Sequence, residues 1–187
     1  MAEAAELLRR WAAGDEEAGA ELYRAHFPMV WRFFRTKVAE GVEDLVQSTF
    51  LAALEAQERF RGDSKFSTFL YAIARNQLLM HYRKRDKHRA ASLDFSVADM
   101  GTSPSAVLAR DDTQRRLYEA MCGLPLDHQI ALELFYWEGL GSAEVAEIVG
   151  TPESTVRTRL RRARLRLRQQ IGLPEEDELP NPPSSES

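Results

Sequence analysis

The sequence predicts an all-α protein made of two small helical domains joined by a flexible linker. Three observations carry that prediction. Apolar residues recur at the 3.6-residue period of a helix along most of the chain. No stretch sustains the apolar–polar alternation of a strand. Between Ala91 and Pro104 the period stops, and Ser, Asp, Gly and Pro replace helix formers. With 187 residues the chain has room for two small domains. The expected division is a first domain at 1–90, a linker at 91–112, a second domain at 113–172 and an acidic tail at 173–187.

In the first domain, Pro28 sits inside the apolar stretch from Phe27 to Phe34 and is expected to start a helix, since its fixed φ suits a first turn. Gly41 precedes a helix that places Val42, Leu45, Val46, Thr49, Phe50, Ala53 and Leu54 on one face. Glu43, Asp44, Gln47, Glu55 and Glu58 make its other side polar and acidic, which suits a basic protein partner. Gly62-Asp63 marks a turn. The next helix carries Phe66, Phe69, Leu70 and Ile73 inward. Across residues 58–89 the aromatics Phe60, Phe66, Phe69, Tyr71 and Tyr82 interleave with Arg59, Arg61, Lys65, Arg75, Arg83, Lys84 and Arg85. Proteins that hold unpaired nucleic acid combine a basic track with aromatic stacking in this way. Phe66 and Phe69 lie on the inward stripe, so core packing is the expectation for them, and Phe60 is less committed. In the linker, Leu93, Phe95 and Val97 alternate, as a short strand or as side chains packed on a domain or partner. The tail EEDELPNPPSSES has the composition of a segment without fixed structure.

The second domain reads in more detail. A helix from Asp127 to Glu138 turns Ile130, Ala131, Leu134 and Phe135 inward and ends at Gly139 and Gly141. A short helix from Ser142 to Val149 buries Val145, Ala146 and Val149, and Gly150 can take the left-handed closing conformation. Thr151 is expected as the N-cap and Pro152 as the first residue of the last helix. That helix buries Val156, Leu160, Ala163 and Leu167 and shows seven arginines elsewhere: Arg157, Arg159, Arg161, Arg162, Arg164, Arg166 and Arg168. A short helix, a tight turn and a second, arginine-rich helix form the layout of a helix-turn-helix, whose second helix enters the major groove. By position, Arg157, Thr158, Arg161 and Arg162 belong to the groove, and Arg159, Arg164 and Arg166 to the phosphate backbone.

A net charge of −4 hides a strong pattern. Residues 59–90 hold nine basic and two acidic residues, and 151–172 hold seven and one. The segments around them are acidic, including the tail, with five acidic residues and no basic ones. DNA binding needs a local positive face, not a positive total. The single cysteine, Cys122, excludes an internal disulfide and reads as a small apolar residue. No apolar run nears the roughly 20 residues of a membrane span, and the first residues lack the apolar core of a signal peptide. A cytoplasmic protein is expected. His81, His88, Asp86 and Asp94 match no common metal spacing, so no metal or other cofactor is expected.

Three segments together resemble sigma factors of bacterial RNA polymerase. VEDLVQSTFLAALE, residues 42–55, looks like the family's clamp-binding helix. FRGDSKFSTFLYAIARNQLLMHYRKR, residues 60–85, resembles the region that melts and reads the minus-ten element. LPLDHQIALELFYWEGLGSAEVAEIVGTPESTVRTRLRRARLRL, residues 124–167, resembles region 4, which reads the minus-thirty-five element. Their order and the reduced layout are those of the extracytoplasmic-function subfamily of the sigma-70 family, over about residues 15–172. The resemblance implies that Asp44, Leu45, Gln47 and Phe50 meet the polymerase β′ subunit. It implies that Arg61, Gly62, Asp63, Ser64 and Lys65 hold a flipped minus-ten base, with Asn76 at the melting fork and Arg83 and Arg85 on the same DNA. It also implies minus-thirty-five contacts from Thr155, Arg157, Thr158, Arg159, Arg161 and Arg162. The implied partners are core RNA polymerase through β′ and β, promoter DNA and an anti-sigma factor, with no membrane insertion and no cofactor. Ser48 stands where the family often has Glu, Phe69 where Trp is frequent, and Arg161 where many relatives are apolar or have His.

Two other readings compete. A helix-turn-helix regulator acting without polymerase explains residues 127–168 equally well, but not the acidic helix beside an aromatic basic stretch. An enzyme acting on nucleic acid needs a carboxylate or His cluster. Glu43 and Asp44 are the nearest candidates and nothing clearly joins them. No phosphate-binding glycine loop and no nucleophile paired with a base are present, so catalysis is not expected.

Overall fold

The computed structural model describes residues 2–60, 62, 64–86, 95–101 and 112–172. The acidic tail and most of the expected linker lie outside the described residues. Within them there are eight α-helices and no strand. The helices are α1 (Ala2–Ala12), α2 (Glu16–Arg35), α3 (Val42–Glu55), α4 (Phe66–Arg85), α5 (Asp112–Cys122), α6 (Leu126–Tyr136), α7 (Ser142–Val149) and α8 (Glu153–Ile171). The all-α expectation holds. Contacts divide the chain into a first unit, Met1–Arg35 with Glu40–His81, and a second, Thr36–Ala39 with Tyr82–Ser187.

The first unit packs α1, α2 and α3 against one another, and the α4 rings meet α2. Leu8, Leu22, Val30, Phe33, Phe34, Val46, Phe50, Phe66, Leu70, Tyr71 and Leu78 form its core. Each such large side chain contributes about 1.5–3 kcal/mol on burial. Asp15 starts α2 by accepting from the Ala18 backbone N–H at 3.2 Å and from the Arg10 guanidinium at 2.6 Å. The guanidinium holds the Asp15 carboxyl below the usual range. Gly19 lets α1 approach α2 closely, because a Cβ there would sit 2.5 Å from the Trp11 ring.

Pro28 does not start a helix; it lies inside α2. A proline there removes one intrahelical hydrogen bond, the one to the carbonyl four residues back. Arg24, which carries that carbonyl, and Pro28 are both exposed, so water can take the place of the missing donor. The inward residues Leu22, Val30, Phe33 and Phe34 keep the helix continuous.

In the second unit α6 is buried nearly all round, including Asp127, Gln129 and Glu133. A helix of that kind must be central, and its polar groups need partners. Glu133 accepts from Lys37 Nζ and, at 3.1 Å, from Thr36 Oγ1. Gln129 donates to Glu133 Oε1 at 2.9 Å and is 3.3 Å from the Thr36 carbonyl. Lys37 is wholly buried, and burial pushes its ammonium below the usual range despite Glu133. The Tyr82 hydroxyl donates to the Lys37 carbonyl. Phe95, Val97 and Met100 are buried, with the Leu126 N–H donating to the Phe95 carbonyl at 2.8 Å. Of the readings open for Phe95 and Val97, packing on a domain is the one found; Leu93 lies outside the described residues. Cys122 is buried, and burial together with Glu133 pushes its thiol up to about 11.

Candidate nucleic-acid interface

The amphipathic pattern of α8 is realised in full: Val156, Leu160, Ala163 and Leu167 are all buried. Arg157, Thr158, Arg161, Arg162 and Arg166 are exposed on its other faces. Arg159 turns inward instead, 3.2 Å from Asp127 with both side chains mostly covered. Arg164 is half-buried and donates to the Tyr136 hydroxyl at 3.3 Å. Thr155 is half-buried.

The preceding turn fits a helix-turn-helix. Glu144 accepts from the Gly141 N–H at 2.9 Å and opens α7. Gly150 closes α7 in the left-handed region at φ 67°. The cap of α8 differs from expectation. Pro152 is the N-cap, extended at ψ 146°, and the helix starts at Glu153, one residue later than Thr151 and Pro152 predicted. The Pro152 carbonyl already accepts from the Thr155 and Val156 N–H groups. Glu153 then ties the two helix starts together, accepting from the Ser142 hydroxyl at 2.5 Å and from Arg157 at 2.6 Å. These donors hold its carboxyl below the usual range. Beside them lies a cavity of about 330 Å³, lined by Phe135, Tyr136, Ser142, Arg157, Leu160 and Arg164. Phe135, expected inward, is half-buried at its edge.

In the first unit, Phe60, Phe66 and Phe69 form one aromatic cluster, with centroids 5.1 Å apart for Phe60–Phe69 and 5.3 Å for Phe60–Phe66. Phe66 is buried, while Phe60, Phe69 and Ile73 are half-buried. The cluster therefore leaves part of its ring surface open, and Gly62, two residues after Phe60, takes φ 80°. Lys65 and Asn76 are exposed and Ser64 is half-buried. In the last turn of α4, Arg83 and Arg85 are exposed. Arg61, Asp63, His88 and Asp94 lie outside the described residues. No group of His, Cys, Asp or Glu among the described residues is placed to hold a metal ion.

On α3, Asp44 and Gln47 are exposed, but Leu45 and Phe50 face the core, Phe50 stacking 4.8 Å from Tyr23. The residue that shares the exposed face is Leu51, half of whose surface is open. Its spacing of seven from Asp44 and four from Gln47 was the available signal for it.

Residues 22–88 match the family described as Sigma-70 region 2, and residues 114–167 match Sigma-70, region 4. The chain belongs to the sigma-70 family. It is a sigma factor of the extracytoplasmic-function type and serves RNA polymerase in transcription initiation; sigma factors as a family are not catalytic enzymes. The chain is 32% identical over 163 residues to the RNA polymerase sigma factor YlaC of Bacillus subtilis, covering 84% of this chain and 94% of that one. It is 31% identical over 172 residues to the ECF RNA polymerase sigma factor SigM of Mycobacterium tuberculosis, covering 90% and 84%. Among solved structures it resembles the sigma factor RpoE in complex with the anti-sigma factor NepR from Bartonella quintana. That likeness has a TM-score of 0.66 at 25% identity, covering 82% of this chain and 96% of that one. CnrH in complex with the cytosolic domain of CnrY gives the same TM-score and identity, covering 91% and 97%. No described helix of this sigma factor is long and apolar enough to cross a membrane.

Proposed function

We propose that the sigma factor works through three separate surfaces in the bacterial cytoplasm. Residues 1–90 form the domain that engages core polymerase and the minus-ten element, 91–112 connect it, and 113–172 form the domain for the minus-thirty-five element. The exposed face of α3, with Asp44, Gln47 and Leu51, docks on the β′ subunit. Leu45 and Phe50 act there by fixing the helix in its core. Residues 61–65 hold a flipped base of the non-template strand beside the open Phe60–Phe69 cluster, Asn76 sits at the melting fork, and Arg83 and Arg85 neutralise backbone phosphates. In α8, Arg157, Thr158, Arg161 and Arg162, with Thr155 at its start, read duplex edges in the major groove. Arg159 acts through its ion pair with Asp127, which fixes the helix on α6.

The chain itself does no chemistry in this reading. Strand opening draws on the binding of unpaired bases rather than nucleotide hydrolysis. The observation that carries the reading is the succession of an acidic docking helix, an aromatic basic turn and a basic recognition helix. The anti-sigma complexes of the structural neighbours support an anti-sigma factor as a further partner of this chain. The test is transcription from a random-promoter library by bacterial core polymerase with and without this protein. Starts that depend on the protein and share two upstream motifs are expected. Absence of such starts, with stable duplex binding by the protein alone, would favour a regulator that acts without polymerase.

A further inference from the structure

The cavity beside α8 is lined by the apolar Phe135 and Leu160 and by the basic Arg164 and Arg157, the latter paired with Glu153. Arg157, Arg161, Arg164 and Arg168 recur at spacings of four, three and four, so they share one face of α8. Arg161 is exposed and has no ion-pair partner among the described residues. A ligand matched to this surface carries several carboxylates and an apolar side chain just beyond them.

The chain supplies such a sequence itself. Glu175, Glu176, Asp177 and Glu178 are followed directly by Leu179. We propose that this segment docks back along α8, its carboxylates on the Arg161 and Arg164 stripe and Leu179 at the Phe135–Leu160 side of the cavity, and so competes with DNA. The inference rests on α8 being the DNA-reading helix.

The reach agrees. α8 ends at Gly172, whose φ of 73° is the left-handed conformation that ends helices and lets the chain change direction. At about 1.5 Å per residue, Arg164 lies about 12 Å and Leu160 about 18 Å back along the axis from Gly172. A returning extended chain covers about 3.3 Å per residue, so residues 175–178 span about 10–20 Å and Leu179 reaches about 23 Å. The acids can therefore lie over the arginines while the leucine meets the cavity. Exposed ion pairs are individually weak. Tethering offsets this with an effective concentration on the order of millimolar. The block should be modest, reversible and salt-sensitive.

The test compares the full chain with three variants: deletion of residues 174–187, the charge-neutral E175Q/E176Q/D177N/E178Q, and Leu179→Ser. Backbone amide spectra at low salt report docking without polymerase or DNA. Between the full and deleted chains, shifts are expected near Ser142, Leu160 and Arg164. Affinity for duplex DNA should rise about three- to tenfold in the neutral variant and by a smaller, measurable factor in Leu179→Ser, with both gains fading near 0.5 M salt as charges are screened. Unchanged spectra along α8 would overturn the proposal. So would a gain in the neutral variant with none in Leu179→Ser, which would reduce the effect to general repulsion. If full and deleted chains both fail to support polymerase-dependent starts, the sigma mechanism above fails, and the spectra still decide whether the segment docks.

Discussion

Glu133 is the acceptor on which three buried donors converge: Lys37, Thr36 and Gln129. Removing it takes away the buried counter-charge of Lys37, a loss that typically costs about 3–5 kcal/mol. Glu133→Ala should therefore lower the urea midpoint sharply. A paired Lys37→Met/Glu133→Leu variant should recover most of the loss, because an apolar pair needs no counter-charge. Recovery that fails to appear would mean that the neighbouring Thr36 and Gln129 groups depend on the carboxylate more than Lys37 does. On the outer face of α8, Arg161 and Arg166 are both exposed but should differ in effect. Arg161→Ala should cost about 1–3 kcal/mol in promoter binding and relax preference at one base pair. Arg166→Ala should weaken all sequences alike and flatten the salt dependence by about one phosphate contact. Binding to a panel of single-base promoter variants separates the two.

At the level of elements, the contact of α1 with α2 hangs on Gly19. Gly19→Ala should improve helix propensity by about 1 kcal/mol, yet it drives a methyl into the Trp11 ring. Overpacking of that kind costs about 1–3 kcal/mol, so a lowered melting temperature and altered tryptophan emission are expected. The helix-turn-helix carries a pH dependence. Burial, with Arg166 and Arg159 nearby, lowers the pKa of His128 below its ordinary 6.5, and Asp127 opposes this only in part. The folded state then binds fewer protons than the unfolded one at acid pH. Its contribution is constant above about 6.5, declines as pH falls toward the folded value, and then levels. His26 in α2 is lowered by burial in the same sense. Melting temperature should fall from pH 7 to pH 5, and less so in His128→Gln. Much of α3, α7 and α8 was legible in the sequence because their burial follows a single helical stripe, though Leu54 and Ala146 are half-buried and Ile148 is buried in place of Ala146. Pro28 lies inside α2 rather than at a helix start because its N1 preference is local, whereas α2 is held by buried residues on either side. The α8 cap was displaced by one residue because Glu153, not Thr151, secures it to Ser142. The Lys37–Glu133 pair joins residues 96 positions apart, and no local pattern announces it. Leu45 and Phe50, named through family resemblance, are core residues by their own periodicity.

For the whole molecule, sign segregation matters more than total charge. Two basic blocks in a chain of net charge −4 allow local DNA contact while the remainder repels it. If α8 makes about two to three phosphate contacts, log K for duplex binding should fall with log salt at a slope of about −2 to −3. A slope near zero would remove α8 from the phosphate backbone. The buried thiol has a consequence for signalling. Peroxides and disulfides react with thiolate, and Cys122, raised to about 11, holds almost none at neutral pH. It is also the chain's one sulfhydryl. A thiol so placed should react slowly with oxidants, so a redox stress that acts on this protein's output through cysteine chemistry should be sensed by a thiol on another component.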